Sequence, residues 1–210
     1  MVSSSTRLED VSERAHAKVG KFANRQAELA EAALTTLAEQ GYARTSLRDI
    51  AENTDFSHAV LRYYFNDKND LIIQCIQQYK SVCVHRYDLA IESAETQQEL
   101  LNAFLEKLTQ TLLNETKIHR LWYDLRSQAL FDEVLWEDVK QIDSDLENMI
   151  WRIIERYAQL GGSSPKLTSK ALYAVIDGLF QAAVARVVSG KANADSELEA
   201  ELRKLLPVIV

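Results

Sequence analysis

Hydrophobic residues recur every three or four positions along most of the chain, which is the spacing of amphipathic α-helices. The first such run covers about residues 24–40, with Leu29, Ala33 and Leu37 on one face and Gly41 after its end. Runs of alternating valine, isoleucine and threonine, which would indicate strands, are missing from the sequence. The pattern therefore predicts an all-α fold.

Two short helices are predicted after the first one, at about residues 46–53 and 57–64. Ser46, with Asp49 three positions later, has the form of a capping box, and Ser57 is expected to cap the second short helix. Helices this short are stable only when they pack on a larger element. We therefore expect a three-helix unit in which a tight turn joins the last two helices.

Longer helices are predicted over the rest of the chain, near residues 67–93, 97–114, 117–130, 132–160, 166–189 and 195–206. The Gly-Gly-Ser-Ser-Pro stretch at 161–165 is expected to be a loop, and Pro207 to end the last helix. This organisation predicts three parts, namely a flexible N-terminal arm (1–22), a helix-turn-helix domain (23–66) and a larger helical domain (67–210).

The charge balance limits how the chain can meet nucleic acid. The net charge is -7, and residues 1–72 carry 9 basic and 11 acidic side chains, a balance of -2. A general nucleic-acid coat protein would be basic, so this class is disfavoured, and any contact with DNA would have to come from a local patch.

The sequence also indicates a cytoplasmic location. The N-terminus lacks a secretory signal pattern, and Asp177, Gln181 and Arg186 interrupt the most apolar stretch, so no membrane span is predicted. Cys75 and Cys83, eight positions apart on one predicted helix, cannot form a disulfide with each other, which fits a reducing compartment.

The second short helix is suited to the major groove of DNA, with its N-terminal residues toward the base edges. Hydroxyls and free backbone N–H groups at the start of the preceding helix are suited to phosphates. Solvent exposure of Arg48 and core packing of Tyr64 are the structural alternatives. The candidate DNA contacts are Arg44, Thr45, Ser46, Arg48, Ser57, His58, Ala59, Arg62, Tyr63, Tyr64 and Lys68.

The segments AEAALTTLAEQGYARTSLRDIA (30–51) and FSHAVLRYYFNDKNDL (56–71), with Arg25 before them, resemble the TetR family of transcriptional regulators. The resemblance covers about fifty residues without a gap. Arg62 stands where many members carry Tyr, and Ala59 where many carry Gly, so base contacts do not transfer from the general pattern. The Tyr63-Tyr64-Phe65 ending is similar to the branch of choline-responsive repressors.

The resemblance implies that the last two helices form a four-helix bundle with their copies in a homodimer. Small side chains on 166–189 would allow a second helix to approach closely. The alternative is that these faces cover the chain's own core. The candidate interface residues are Ala171, Ala174, Gly178, Ala182, Ala185, Leu198, Leu202 and Leu205.

The resemblance also implies a small-molecule cavity in the larger domain. A polar group on an apolar face needs a partner when buried, and either a ligand or another helix can supply it. Core packing is the alternative for the aromatic residues. The candidate ligand residues are Phe104, Trp122, Tyr123, Arg126, Trp151, Asp177 and Gln181.

These features predict a ligand-responsive repressor that binds a palindromic double-stranded DNA operator and is released by an unidentified small-molecule effector. The alternative is a helical protein–protein adaptor without DNA binding. No nucleotide-binding, nucleophile or paired-histidine zinc motif occurs, so we expect no catalytic site, metal or cofactor. Cys83 and His85 are two positions apart and would point to different sides of a helix, so they are not expected to bind a metal together.

Overall fold

The computed structural model describes the backbone of residues 5–210 and the side chains from residue 20 onward. Within this range the chain is helical and contains no strand, which confirms the predicted all-α class. It divides into two compact units. The first comprises the chain up to Gln40 and Arg44–Gln78, and the second Gly41–Ala43 and Tyr79–Val210.

The first unit contains α1 (Ser5–Gln40), α2 (Leu47–Glu52), α3 (His58–Tyr64) and the N-terminal part of α4 (Lys68–Cys83). The arm expected over residues 1–22 is helical from Ser5 onward, and residues 1–4 lie outside the described part. The core of this unit is built from one side chain or more of each helix: Leu29, Ala33, Leu37, Ile50, Leu61, Phe65, Leu71 and Ile72.

Capping groups set the start of both short helices. The Ser46 Oγ accepts from the Asp49 backbone N–H at 3.2 Å, and the Ser46 N–H donates to Asp49 Oδ2 at 2.8 Å. The Ser57 Oγ accepts from the Val60 N–H at 3.2 Å. Each cap satisfies backbone donors that have no partner inside the helix, so the predicted capping box and N-cap are confirmed.

The second unit contains the end of α4 and six further helices. They are α5 (Asp88–Ser93), α6 (Gln97–Asn114), α7 (Thr116–Gln128), α8 (Trp136–Leu160), α9 (Ser169–Val188) and α10 (Ala194–Ile209). A short 3₁₀ turn, Glu133–Leu135, leads into α8. Helix α9 packs on α7, α8 and α10, and α6 packs on α8 and α10.

The helix predicted over residues 67–93 is interrupted, since α4 ends at Cys83 and α5 begins at Asp88. Contacts distant in sequence stabilise the break. Arg152 donates to the Val84 carbonyl and pairs with Asp88, and Arg86 pairs with Glu115 at 2.9 Å. These charge-assisted bonds replace the helical hydrogen bonds lost at the break.

Two other boundaries differ from the sequence prediction. The division between the compact units falls inside α4, after Gln78, rather than after residue 66. Pro207 lies inside α10, which continues to Ile209. A proline so close to the end of a helix removes only one backbone donor, and that loss does not stop the helix here.

Candidate nucleic-acid interface and ligand cavity

Helix α3 presents a polar and aromatic outer face. Leu61 is buried on its inner side, whereas His58, Ala59, Arg62 and Tyr63 are exposed, Tyr63 to 73%. The outer face therefore consists of the residues that the sequence assigned to the base edges. An exposed helix of this kind has the dimensions and donors needed to enter a major groove.

The candidate DNA contacts on either side of this face differ in their solvent exposure. Arg44, Ser46, Arg48 and Ser57 are exposed, and Arg48 pairs with Glu52 at 2.9 Å. Tyr64 and Lys68 are half-buried.

Thr45, by contrast, is only 3% exposed, so its predicted contact with phosphate is corrected. It directly precedes the Ser46 cap, and the side chain at this position turns into the unit instead of toward solvent.

An aromatic cluster that the sequence analysis missed adjoins the end of α3. The Phe22 ring lies 4.7 Å from that of Tyr64 and 6.1 Å from that of Tyr63, and the two tyrosine rings are 5.0 Å apart. Gln26 Nε2 also donates to the Tyr64 carbonyl at 3.2 Å. Phe22 and Gln26, in the middle of α1, therefore contact the end of α3, and Phe22 belongs to the stretch that the sequence predicts as a flexible arm.

The second unit encloses a cavity of about 540 Å³, including the part that opens to solvent. Its apolar lining residues are Leu108, Leu146, Met149, Ile150, Ile176 and Phe180. Its polar lining residues are Lys80, Cys83, Arg86, Tyr87, Thr111, His119, Tyr123, Tyr173 and Asp177. A cavity with an apolar wall and a few convergent polar groups is typical of small-molecule sites.

Lys80 is the unusual member of this lining, because it is only 5% exposed. Its Nζ lies 5.3 Å from the centre of the Trp122 ring and 5.6 Å from that of Tyr79. Among the described side chains, no acceptor or carboxylate forms a hydrogen bond or ion pair with this ammonium. Burial lowers the pKa of Lys80 from 10.5 to about 8, while the negative charges of Asp177 and Glu115 oppose that shift.

The other two cations near the cavity are paired. Arg86 Nη2 lies 2.9 Å from Glu115 Oε2 and also donates to Thr111. Arg126 pairs with Asp177 at 2.5 Å and with Asp143 at 3.2 Å.

His119 adds no charge to the cavity. Burial, together with the charges of Lys80 and Arg86, holds the pKa of His119 well below its ordinary 6.5. The ring is therefore neutral near pH 7, with Nε2 3.2 Å from the Tyr79 hydroxyl.

The predicted ligand residues divide into three groups. Tyr123 and Asp177 line the cavity and are joined by a hydrogen bond of 2.9 Å, and Arg126 holds Asp177 from outside the lining. Phe104 and Trp122 are buried outside it. Trp151 is half-buried elsewhere on α8, and Gln181 is exposed on α9, so neither lines the cavity.

Sequence analysis missed several polar lining residues, namely Lys80, Cys83, Arg86, Tyr87 and His119. One signal was available, because Ile76, Lys80 and Cys83 are spaced by four and three and share a helix face. A lysine on an apolar face is unusual enough to mark a candidate site.

Helix α9 presents an exposed face of small residues. Ala174, Gly178, Ala182 and Ala185 are exposed, and a Cβ on Gly178 would meet no atom within 4 Å. Ala171 is half-buried. By length and composition α9 could cross a membrane, with a mean hydropathy of 1.5, and a third of its most apolar window is buried within the unit; one such helix is weak evidence for a membrane span.

The assignment of α10 leucines to an intermolecular interface needs correction. Leu198 and Leu202 are 2% and 0% exposed, because α10 packs its leucine face on α6 and α9 of the same chain. Leu205 is half-buried. Large apolar side chains contribute most to stability when buried in the chain's own core.

Three comparisons with known proteins agree on one class. The family described as bacterial regulatory proteins, tetR family, matches residues 29–75. The HTH-type transcriptional regulator PksA of Bacillus subtilis (strain 168) is 24% identical over 159 residues, which cover 74% of this chain and 76% of PksA.

Two solved structures share the fold over most of the chain. A transcriptional regulator from Saccharomonospora viridis in complex with choline has a TM-score of 0.71 at 18% identity, covering 88% of this chain and 96% of its own. FadR from Bacillus subtilis in complex with stearoyl-CoA has a TM-score of 0.67 at 20% identity, covering 85% and 95%. The relatives are named as regulators rather than enzymes, and together with the matched DNA-binding domain they favour DNA binding over a protein adaptor.

Proposed function

We propose that this chain, which is a DNA-binding transcriptional regulator of the tetR family, is a cytoplasmic repressor that a small molecule releases from its operator. The observation that carries the proposal is the pairing of two features in one chain. The first unit has an exposed recognition helix, and the second has a cavity lined by both apolar and polar side chains.

In the DNA-binding half, α3 enters the major groove with His58 and Arg62 toward the base edges. Ser46, at the start of α2, and Lys68, at the start of α4, are placed on phosphates. Since the chain is acidic overall, affinity depends on these few groups and not on a broad basic surface.

The regulator is a homodimer whose seam is the exposed small-residue face of α9. Ala174, Gly178, Ala182 and Ala185 leave room for the backbone of a second α9. Two copies related by a two-fold axis would place two recognition helices in successive major grooves. The operator is then palindromic, with half-site centres about 34–36 Å apart or a multiple of that distance.

The effector occupies the cavity of the second unit. Helix α4 supplies residues to both units, Lys68 to the first and Lys80 to the second. An effector that prefers one arrangement of α4 would change operator affinity, and DNA would change effector affinity by the same factor.

The test is selection of bound sequences from a random pool of double-stranded DNA with the purified full-length chain. We expect a two-fold symmetric consensus, bound by two copies of the chain as counted by mass photometry. Enrichment of no sequence, or of an asymmetric site bound by one copy, would contradict the proposal.

A further inference from the structure

We propose that the effector is an apolar small molecule with a single carboxylate, which pairs with Lys80 while its hydrocarbon part contacts the apolar wall of the cavity. This inference rests on the proposed role of the cavity as the effector site, and it goes further by assigning the chemical class of the ligand. Neither the family match nor the structural relatives specify that class for this chain.

The argument begins with the charges. Arg86 pairs with Glu115, Arg126 is shared by Asp177 and Asp143, and the His119 ring is neutral. Among the described residues, Lys80 is the cation of the cavity lining that forms no ion pair, although the carboxylates of Asp177 and Glu115 lie near enough to act on it. A buried ammonium is costly unless it is directly paired, so its position favours a ligand that supplies a negative charge.

The polar lining residues fit a carboxylate in particular. One ammonium balances one carboxylate charge, whereas a phosphate monoester brings about 1.5 to 2 negative charges. Tyr87 is also buried and part of the lining, and its hydroxyl can donate a hydrogen bond. The site can therefore offer a charged donor and a neutral donor to the two carboxylate oxygens.

The apolar lining residues define the rest of the ligand. Leu146, Met149, Ile150, Ile176 and Phe180 come from two helices, α8 and α9, and offer no charged group. An alkyl or aryl body gains affinity by leaving water against such a wall. A quaternary ammonium would instead bring a second positive charge beside Lys80, so a cation of the same size should bind less well.

The experiment compares matched ligands by isothermal titration calorimetry with the full-length dimer. The probes are hexanoate, octanoate and 3-phenylpropionate, the primary amide of each, and choline. We expect at least one carboxylate to bind at least about tenfold more tightly than its amide, as charge-assisted hydrogen bonds are about twice as strong as neutral ones. Choline should bind more weakly than that carboxylate.

Substitutions of Lys80 test whether its ammonium group causes the preference for carboxylate over amide. Lys80→Met should abolish the preference for carboxylate over amide, and Lys80→Gln, which keeps a polar end, should do the same. Lys140→Met removes an exposed lysine charge and should retain the preference. Circular dichroism and thermal unfolding would establish that each variant is folded.

Three results would overturn the proposal: equal binding of acid and amide, a preference that survives both Lys80 substitutions, or no binding by any carboxylate of the series. A separate measurement addresses the regulatory role. If a carboxylate binds through Lys80 but leaves affinity for the selected operator unchanged, the ligand class stands and the proposed function fails.

Discussion

Arg126 Nη1 lies 2.5 Å from Asp177 Oδ2, a pairing that joins α7 to α9 at the edge of the cavity. Asp177 is the carboxylate of the cavity lining, and Lys80 lines the same cavity. Arg126 also lies 3.2 Å from Asp143, so its charge is shared by two carboxylates. Because Arg126 holds Asp177, and Asp177 forms no ion pair with Lys80, the proposed carboxylate site depends on this pairing as well as on Lys80.

Replacing Arg126 by Met should weaken carboxylate binding about fivefold, corresponding to about 1 kcal/mol. The substitution leaves Asp177 free to neutralise Lys80, and amide binding should be unaffected. Calorimetry with the best carboxylate of the series measures the change. In a protein that already carries Lys80→Met, the Arg126 substitution should not weaken carboxylate binding further. If the two losses of affinity add in full, Arg126 acts independently of Lys80.

Lys80→Met should stabilise the ligand-free protein by about 1–3 kcal/mol at pH 7, because it removes an unpaired buried ammonium. Urea unfolding of both proteins measures the difference. A ligand-free variant that is less stable than the wild type would mean that Lys80 has a partner that stabilises it.

This stability difference should depend on pH. The pKa of Lys80 is about 8 in the folded chain and 10.5 when unperturbed, so below pH 8 both states are protonated and the burial cost is complete. Between pH 8 and 10.5 the folded state has lost a proton that the unfolded state retains, and wild-type stability rises relative to the variant. Cys83, Arg86, Glu115 and Asp177 also act on Lys80, so each protein is measured across the whole range. If the stability difference between wild type and Lys80→Met does not change with pH, the burial of a charge at Lys80 is contradicted.

Arg62→Ala should weaken binding to the selected operator by about 1–3 kcal/mol while changing non-specific DNA binding little, because base-edge contacts carry discrimination. Lys68→Ala should weaken both and reduce the salt dependence of binding by about one unit. Fluorescence anisotropy at several salt concentrations, with operator and scrambled duplexes, separates the two effects. Identical behaviour of both variants would refute the assigned roles.

Ala182→Arg should convert the dimer to monomer, because a long charged side chain on the exposed face of α9 would keep a second helix away. Asn148→Arg, on the exposed side of α8, is the matched control and should remain dimeric. Light scattering after size-exclusion chromatography gives the masses. If both variants remain dimeric, the interface does not lie on this face of α9.

Local sequence patterns determined most of the secondary structure and the DNA-reading unit. The helix predicted at 97–114 has those bounds in the structure, because its apolar spacing is regular and Thr96 forms a capping box with Glu99. Ser46 and Ser57 likewise defined the starts of α2 and α3. Such signals depend on neighbours within four positions, so they can be recognised without the rest of the fold.

The tertiary structure alone decided which side chains meet in the cavity and which faces remain exposed. Lys80 and Asp177 line one site although ninety-seven positions separate them, and Leu198 and Leu202 pack inward where the sequence pattern allowed an intermolecular seam. The break at residues 84–87 likewise depends on Arg152 from α8. Periodicity shows that a helix face is apolar, but the partner of that face, and whether a buried charge is paired, depend on contacts between distant parts of the chain.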